Sequence, residues 1–445
     1  MQDLQARLSK DSHNSHLPPS SDRFKRRSKS LRQKSSKKAG GQAGHPGEHL
    51  PMVQTPDQVI SHAVETCPAC QHDLRAVPAL QVERRQVVEL PPKRLVVIEH
   101  QAERKCCPAC QEVILAPFPE QVSAPVQYGP ALGALAVYLV EQQLLPYERV
   151  SELFFDLFGQ PISPASILSL VERCAGQLAE VEQQIKSALT HEQVLHQDET
   201  GLSVGGKRHW VHVSATPRLT HYAVHAKRGK EALEAIGILP AFSGVSVHDG
   251  WRSYWAYACQ HATCNVHLLR DLTFLIEEHR QQWAQQMKEL LLDMKAATEQ
   301  ARAEGRANLH PSEVADWHAQ YQAVLLQGEA EQPRDLSPPP QGKGRRKQSA
   351  ARNLLDRLSK EQEAVLAFLH NLAVPFDNNQ AERDLRMVKV QQKISGCFRS
   401  FAGATAFCRI RGYLSTLRKQ GLALLTALEQ VLLGHPVLPD FTLSE

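Results

Sequence analysis

No stretch of the 445 residues approaches 18 uninterrupted apolar positions, so nothing in the sequence reads as a membrane-spanning helix. The best candidate, Ala131 to Val140, is ten residues long and runs into Glu141, which reads as a core helix. The N-terminus is polar and lacks the apolar segment of a secretory signal. Cytoplasmic residence and no membrane partner are therefore expected. In that compartment the ten cysteines are thiols or metal ligands rather than disulfides. Aromatics are sparse at 6%, and a strong net charge is missing too: 51 Lys+Arg against 47 Asp+Glu leave +4. Such bulk composition is ordinary for a soluble chain of two to four domains and does not announce a nucleic-acid binder.

The local charge is different. Residues 1–50 hold eleven Lys/Arg against four Asp/Glu, a net of +7, so the other 395 residues sum to −3. From Asp22 to Lys38, nine of seventeen residues are basic, among them Arg23, Lys25, Arg26, Arg27 and Lys29. Pro18, Pro19 and many serines oppose a packed core there. This segment reads as a short helix remnant followed by a disordered basic arm, suited to phosphate contact. A second basic stretch, residues 380–420, carries nine Lys/Arg against two acids, including Arg383, Arg386, Lys389, Lys393 and Arg399.

Residues 60–120 form a small unit around two identical tetrapeptides, Cys67-Pro-Ala-Cys70 and Cys107-Pro-Ala-Cys110. Two Cys-x-x-Cys turns supply four thiolates, enough for tetrahedral zinc in a closed structural site. A single redox motif would need no duplicate. The 36-residue gap between the pairs exceeds the usual spacing, and β-like runs at Arg85 to Leu90 and Leu95 to His100 are expected to form an intervening hairpin.

Residues 127–185 read as helical. A helix over Glu148–Phe158 ends at Gly159, and Ser163-Pro164 starts the next, an amphipathic run to about Val181. Helix, tight turn and capped helix suggest a helix-turn-helix, although such pairs also serve as scaffolding. Residues 192–272 alternate as strands: Val194–Val204 through Asp198, Lys207–Ala215 and Leu219–Ala226. A helix over Gly229–Gly237 follows, then a strand over Gly244–His248 and a possible fifth at His261–Val266. Residues 273–371 read as a helical insertion with a disordered Pro/Gly/Lys-rich loop at 332–347. Residues 372–445 read as a further helical segment.

Three strands, a helix and two strands, followed by helices, is the order of an α/β ribonuclease H-like core. That order places one acid on the first strand, Asp198, one after the fourth, Asp249, and one on a late helix, Glu382. Three carboxylates brought together can hold two Mg²⁺ or Mn²⁺ ions for in-line phosphoryl transfer. Each acid alone is weak evidence in a chain with 47 of them. Glu199 and Asp384 compete as ligands, Asn378 or Asn379 could cap the Glu382 helix, and Asp377 could do so instead.

These motifs together resemble the DDE transposases of the insertion-sequence-66 family of bacterial mobile elements. The resemblance runs nearly end to end. It begins at Asn14-Ser15 and Pro18-Pro19-Ser20-Ser21-Asp22, and continues through Gly40-Gly-Gln-Ala-Gly-His-Pro-Gly47 and the paired Cys-x-x-Cys. It includes Asp198-Glu-Thr200, His248-Asp-Gly-Trp251, Cys264-Asn-Val-His267, Asp377-Asn-Asn-Gln-Ala-Glu-Arg383 and Lys393-Ile-Ser-Gly-Cys-Phe-Arg-Ser400. It implies a catalytic triad of Asp198, Asp249 and Glu382 with magnesium or manganese, and structural zinc on Cys67, Cys70, Cys107 and Cys110. It implies double-stranded DNA, as element ends and as target, for partner, together with self-association, small companion proteins and residence at the bacterial nucleoid. Cys264 and His267 form a Cys-x-x-His motif that reads either as core packing or as an accessory element near the site. The N-terminal helix is shorter here than the family pattern. A zinc-containing regulator descended from a transposase, no longer catalytic, is the competing reading.

Overall fold

The computed structural model describes residues 10–15, 52–88, 95–334 and 348–442. The chain divides into two compact units, Lys29–Val96 and the remainder, so the two Cys-x-x-Cys motifs fall in different units. The helix remnant before Lys10, the basic arm with Arg23, Lys25, Arg26, Arg27 and Lys29, and residues 335–347 of the expected loop lie outside the described residues.

In the smaller unit, Cys67 opens a tight turn. Its N–H donates to the His72 carbonyl, and its carbonyl accepts from Gln71 N–H, both at 2.9 Å. Gln71 takes a left-handed φ of 62° to close it. Residues 81–88 form no strand, and Val87 and Val88 stand exposed. The larger unit repeats the same turn at Cys107, with Gln111 at φ 59°. Here the arms pair as antiparallel strands β1 (Arg104–Cys106) and β2 (Val113–Leu115). The expected strand at 95–100 is absent. The pairing shifts to the residues flanking the cysteine turn because that turn returns the chain on itself. A β-branched run without a facing partner gains no ladder bonds.

A helical layer follows: α1 (Pro130–Val137), continued by a wide turn at Tyr138–Gln142, then α2 (Tyr147–Phe158), α3 (Pro164–Gln177) and α4 (Ala179–Leu189). Gly159 ends α2 in the left-handed region, and the Ser163 side chain accepts Ser166 N–H at 3.0 Å to start α3. The run expected to reach Val181 unbroken is interrupted at Leu178. The inner face of α3 buries Ile167, Val171 and Cys174 in the same core as C-terminal residues Ile410, Leu414 and Leu428.

The sheet comprises β3 (Val194–Val204), β4 (Lys207–Ala215), β5 (Thr220–His225), β6 (Val245–His248) and β7 (Gln260–Thr263), with α5 (Lys230–Ile236) between β5 and β6. Spatial order is β5-β4-β3-β6-β7. β3, β4 and β5 pair antiparallel, whereas β6 and β7 run parallel to β3. Helices α6 (Asn265–His279), α7 (Gln282–Ala303), α8 (Pro311–Glu331), α9 (Ala350–Lys360) and short turns α10 (Gln362–Val365) and α11 (Ala367–His370) follow. They build a core of Leu272, Trp283, Met287 and Tyr321 that continues into Val247 and Ala262 of the sheet. Lys10 lies over the Phe274 ring of α6 at 4.6 Å.

Three helices complete the fold: α12 (Asn379–Ser395), α13 (Phe401–Lys419) and α14 (Leu424–Leu432). Ala381, Leu385 and Val388 of α12, with Phe407 of α13, share one buried cluster with Val211, Val213 and Tyr222 of the sheet. A fully buried side chain of the larger kinds contributes about 1.5–3 kcal/mol. That packing holds the start of α12 against β3. No helix among the described residues is long and apolar enough to cross a membrane.

Candidate active site

Asp198 sits in mid-strand on β3, its Cα opposite Val213 of β4. The parallel pairing of β3 with β6 ends at His196 and Val247, two residues short of Asp198 on one strand and of Asp249 on the other. The register therefore places the two acids at equivalent positions, just past the C-terminal end of β6. Asp249 lies in the turn after β6. Its Oδ1 accepts Trp251 N–H at 2.8 Å, and Gly250 turns the chain at φ 87°, a conformation costly for any residue with a Cβ.

The side chain of His248 fixes that turn from behind. Its Nδ1 accepts Gly250 N–H at 3.0 Å, so its Nε2 donates to His261 Nδ1, also at 3.0 Å. His261 Nε2 in turn donates to the Tyr257 carbonyl at 3.1 Å. His248 stacks on Tyr254 with ring centres 4.8 Å apart. Burial and the neighbouring His261 push its pKa down to about 3, so it stays neutral.

Glu382 enters from the first turn of α12. Neither Asn378 nor Asn379 caps that helix with its side chain. Asp377 Oδ1 accepts Asn379 N–H at 3.0 Å instead. Asn378 is turned sideways and buried. Its Oδ1 accepts from His196 Nδ1, its Nδ2 donates to the Gln197 carbonyl, both at 2.8 Å, and its N–H donates to Cys264 Sγ at 3.2 Å. This residue clasps the start of α12 to β3, one position from Asp198, and to the end of β7. In the sequence Asn378 reads only as a local cap, because its true partners lie 114 to 182 residues away.

The carboxyls share one electrostatic environment. Burial pushes Asp198 well above the ordinary aspartate range, and the charges of Glu199, Asp249 and Glu382 push it further. Burial raises Glu382 as well. Arg270 opposes that rise, Asp377 and Asp249 add to it, and Arg386 opposes it. Asp198 on β3, Asp249 in the turn after β6 and Glu382 on α12 thus lie near enough for their charges to act on one another. Of the competing acids, Asp384 is engaged elsewhere, whereas Glu199 stays near enough to Asp198 and Asp249 for their charges to interact and is also paired. Glu199, buried, accepts from Arg228 Nε at 2.6 Å and from the Tyr254 hydroxyl. Asp384 accepts from Lys419 Nζ at 2.9 Å and from Gln380 at 3.0 Å.

Basic and aromatic groups stack beside Glu199 and the Asp249 turn and on along β4. The Arg228 guanidinium lies over Trp251 at 3.8 Å and Trp210 at 5.0 Å, and Arg208 lies over Trp210 at 4.6 Å. Neither Arg208, Arg228 nor Arg270 stands out in the sequence, since all lie outside the two basic stretches. Arg383, Arg386, Lys393 and Arg399 are exposed. Lys389 is also exposed, but its Nζ donates to the Gly201 carbonyl at 2.9 Å and so ties α12 to β3. Cys264, buried at the end of β7, and His267, in the first turn of α6, approach Glu382. The ligand atoms of all three lie within 4.8 Å of one another. Burial, with the charge of Glu382, pushes the Cys264 thiol up to about 12.

In each cysteine turn the first thiol is held below its usual pKa, by backbone N–H groups of the second cysteine and of the alanine before it, and by the second thiol. Both turns thus direct donors at a sulfur, the environment a thiolate ligand requires. Cys106 is exposed, with its Sγ near the Gln111 carbonyl at 3.4 Å.

Comparison with known families fits a transposase. The transposase IS66 family matches residues 125–406, well over half of the chain and all of the sheet. The zinc-finger binding domain of transposase IS66 matches residues 65–111, which contain all four paired cysteines. The chain therefore belongs to the transposase IS66 family. A family of unknown function matches residues 1–51. No curated protein matches the chain.

Proposed function

We propose that the protein binds the terminal inverted repeats of a bacterial insertion sequence and catalyses cation-dependent cleavage and strand transfer at them. The observation that supports this reading is the mutual electrostatic influence of Asp198, Asp249 and Glu382, in a chain of this family. Three antiparallel strands and two parallel ones, in the order β5-β4-β3-β6-β7, support the reading of a ribonuclease H-like core. Carboxylate oxygens suit Mg²⁺ or Mn²⁺. The burial and the mutual repulsion that raise Asp198 and Glu382 are the burden such cations relieve. Bound by these three residues, two divalent ions would supply positive charge to the attacking and leaving oxygens of an in-line displacement.

The chain's own residues do the rest. Asn378 and the His248 network hold the acids in place. Arg383, Arg386, Lys393 and Arg399, with the basic arm from Arg23 to Lys29, contact phosphates and set register, while few side chains read bases. Helix α3 is the candidate reading element of a helix-turn-helix. Water cleaves the phosphodiester at the element end and leaves a 3′-hydroxyl. That hydroxyl attacks a target phosphorus, forms the new P–O bond and expels the 3′-oxygen of the target strand. Cys67, Cys70, Cys107 and Cys110 would hold structural zinc. Self-association and companion proteins of the same element would complete the assembly, acting at the nucleoid.

Strand joining on oligonucleotides carrying the element ends tests this. Asp249→Asn is expected to bind the ends and join them roughly 10²–10³-fold more slowly or worse. Joining near the wild-type rate by that variant would overturn the assignment. Wild-type binding with no cleavage under any divalent ion would favour a regulator.

A further inference from the structure

Cys264 and His267 are three residues apart and cannot hold a metal alone. The fold supplies a third ligand. Cys264 ends β7 as the residue before α6, His267 lies in the first turn of α6, and Glu382 comes from the first turn of α12, 115 positions beyond His267. One sulfur, one imidazole nitrogen and one carboxylate oxygen lie within 4.8 Å of one another. Zinc bonds of about 2.3 Å to sulfur and 2.0–2.1 Å to nitrogen or oxygen place neighbouring ligands roughly 3.3–3.7 Å apart. The set closes on an ion with a shift of about an ångström.

A second observation points the same way. Asn378 N–H donates to Cys264 Sγ at 3.2 Å, and Asn378 is itself locked to His196 and the Gln197 carbonyl. A fixed backbone donor aimed at a sulfur is how thiolate ligands are oriented. We infer that Cys264, His267 and Glu382 form a second soft-metal site, of zinc-like preference, separate from the paired cysteine turns and sharing Glu382 with the carboxylate centre. Three protein ligands leave a fourth position open to water or a phosphate oxygen. On binding, the Cys264 thiol gives its proton to solvent and its sulfur pair to the metal. Occupancy would draw Glu382 away from Asp198 and Asp249, so the metal acts as a brake. That consequence rests on the proposed function, whereas the site does not.

Cobalt(II) reports on both. Full-length protein retaining its zinc is titrated with Co²⁺, and the near-ultraviolet thiolate-to-cobalt absorption is read. One added Co²⁺ per chain with that band is expected. The band should vanish in Cys264→Ser. In Glu382→Gln it should persist, with affinity weakened more than about tenfold. His267→Gln, which spares the buried cysteine, should weaken binding similarly. No band in wild type, or an unchanged band in Cys264→Ser, overturns the site. The brake is read separately, as inhibition of strand joining by added zinc. Inhibition several-fold stronger in wild type than in Cys264→Ser supports it. Equal inhibition with an intact cobalt band overturns the brake and leaves the site standing.

Discussion

The paired cysteine turns and the carboxylate centre are both candidate metal sites, yet they are built in opposite ways. Each cysteine turn is local: four residues, one left-handed glutamine and a pair of backbone hydrogen bonds. The proposed carboxylate centre draws on positions 198, 249 and 382, so none of its geometry is local. Soft thiols sit on exposed turns, where hydrogen bonds hold them ready. Hard carboxylates sit half-buried beside one another, where burial and repulsion resist charge. The first arrangement favours folding around its metal. The second stores electrostatic cost that a cation and a phosphate then offset.

The contrast is broken most sharply by neutralising one member of each. Asp198→Asn or Asp249→Asn should slow cleavage and joining by roughly 10²–10³-fold or more, the scale for losing one electrostatic stabiliser, with end binding retained. Cys67→Ser with Cys107→Ser should instead lower zinc content by one equivalent per chain and weaken DNA binding, measured by elemental analysis and by retardation of labelled ends. Equal loss of chemistry in both classes of variant would make the division of labour wrong.

The clasp comes next in size. Asn378→Ala leaves His196 and the Gln197 carbonyl without a buried partner, which costs about 1–3 kcal/mol. Thermal unfolding should show the loss, and joining should fall with it. A variant as stable as wild type would reduce Asn378 to a spectator.

Smaller still is the share of the exposed cations. Arg383, Arg386 and Lys393 changed together to Gln should flatten the salt dependence of DNA binding, by about 0.9 in log–log slope for each phosphate no longer neutralised. An unchanged slope would make this face structural.

The same division explains what the sequence discloses. The cysteine turns, the Ser163-Pro164 helix start and the strands through Asp198 are local signals, read from spacing and alternation. Their pattern survives because the residues that make each element also carry its signal. The strands expected at 85–90 and 95–100 fail in the described residues because alternation says nothing about whether a partner faces it. Asn378 reads as a cap because asparagine before a helix usually is one. Its partners, His196, Gln197 and Cys264, become neighbours only when α12 packs on the sheet. Glu199 is equivalent to Asp198 by sequence, and only the fold shows that it is already paired with Arg228 and Tyr254 while lying beside Asp198 and Asp249. Arg228 and Arg270 reach Glu199 and Glu382 from elements with no basic signature.

The central claim is that Asp198, Asp249 and Glu382 form one cation-binding centre under electrostatic strain. Asp198 has a folded-state pKa above its unfolded one, so the native state binds that proton more tightly. Its favourable contribution exists at low pH and is lost as pH rises through the folded value. At neutral pH, where the unfolded chain ionises this carboxyl freely, the buried site counts against the folded state. Thermal unfolding of wild type and Asp198→Asn, near pH 7 and again below the ordinary aspartate value of 3.8, each with and without saturating Mn²⁺, measures it directly. Without cation the variant should be the more stable at pH 7, and the gap should close in acid. With Mn²⁺ at pH 7 wild type should gain stability and the variant gain little, reversing the order. Equal stabilisation of both proteins by Mn²⁺, or a variant less stable than wild type without it, would contradict the account.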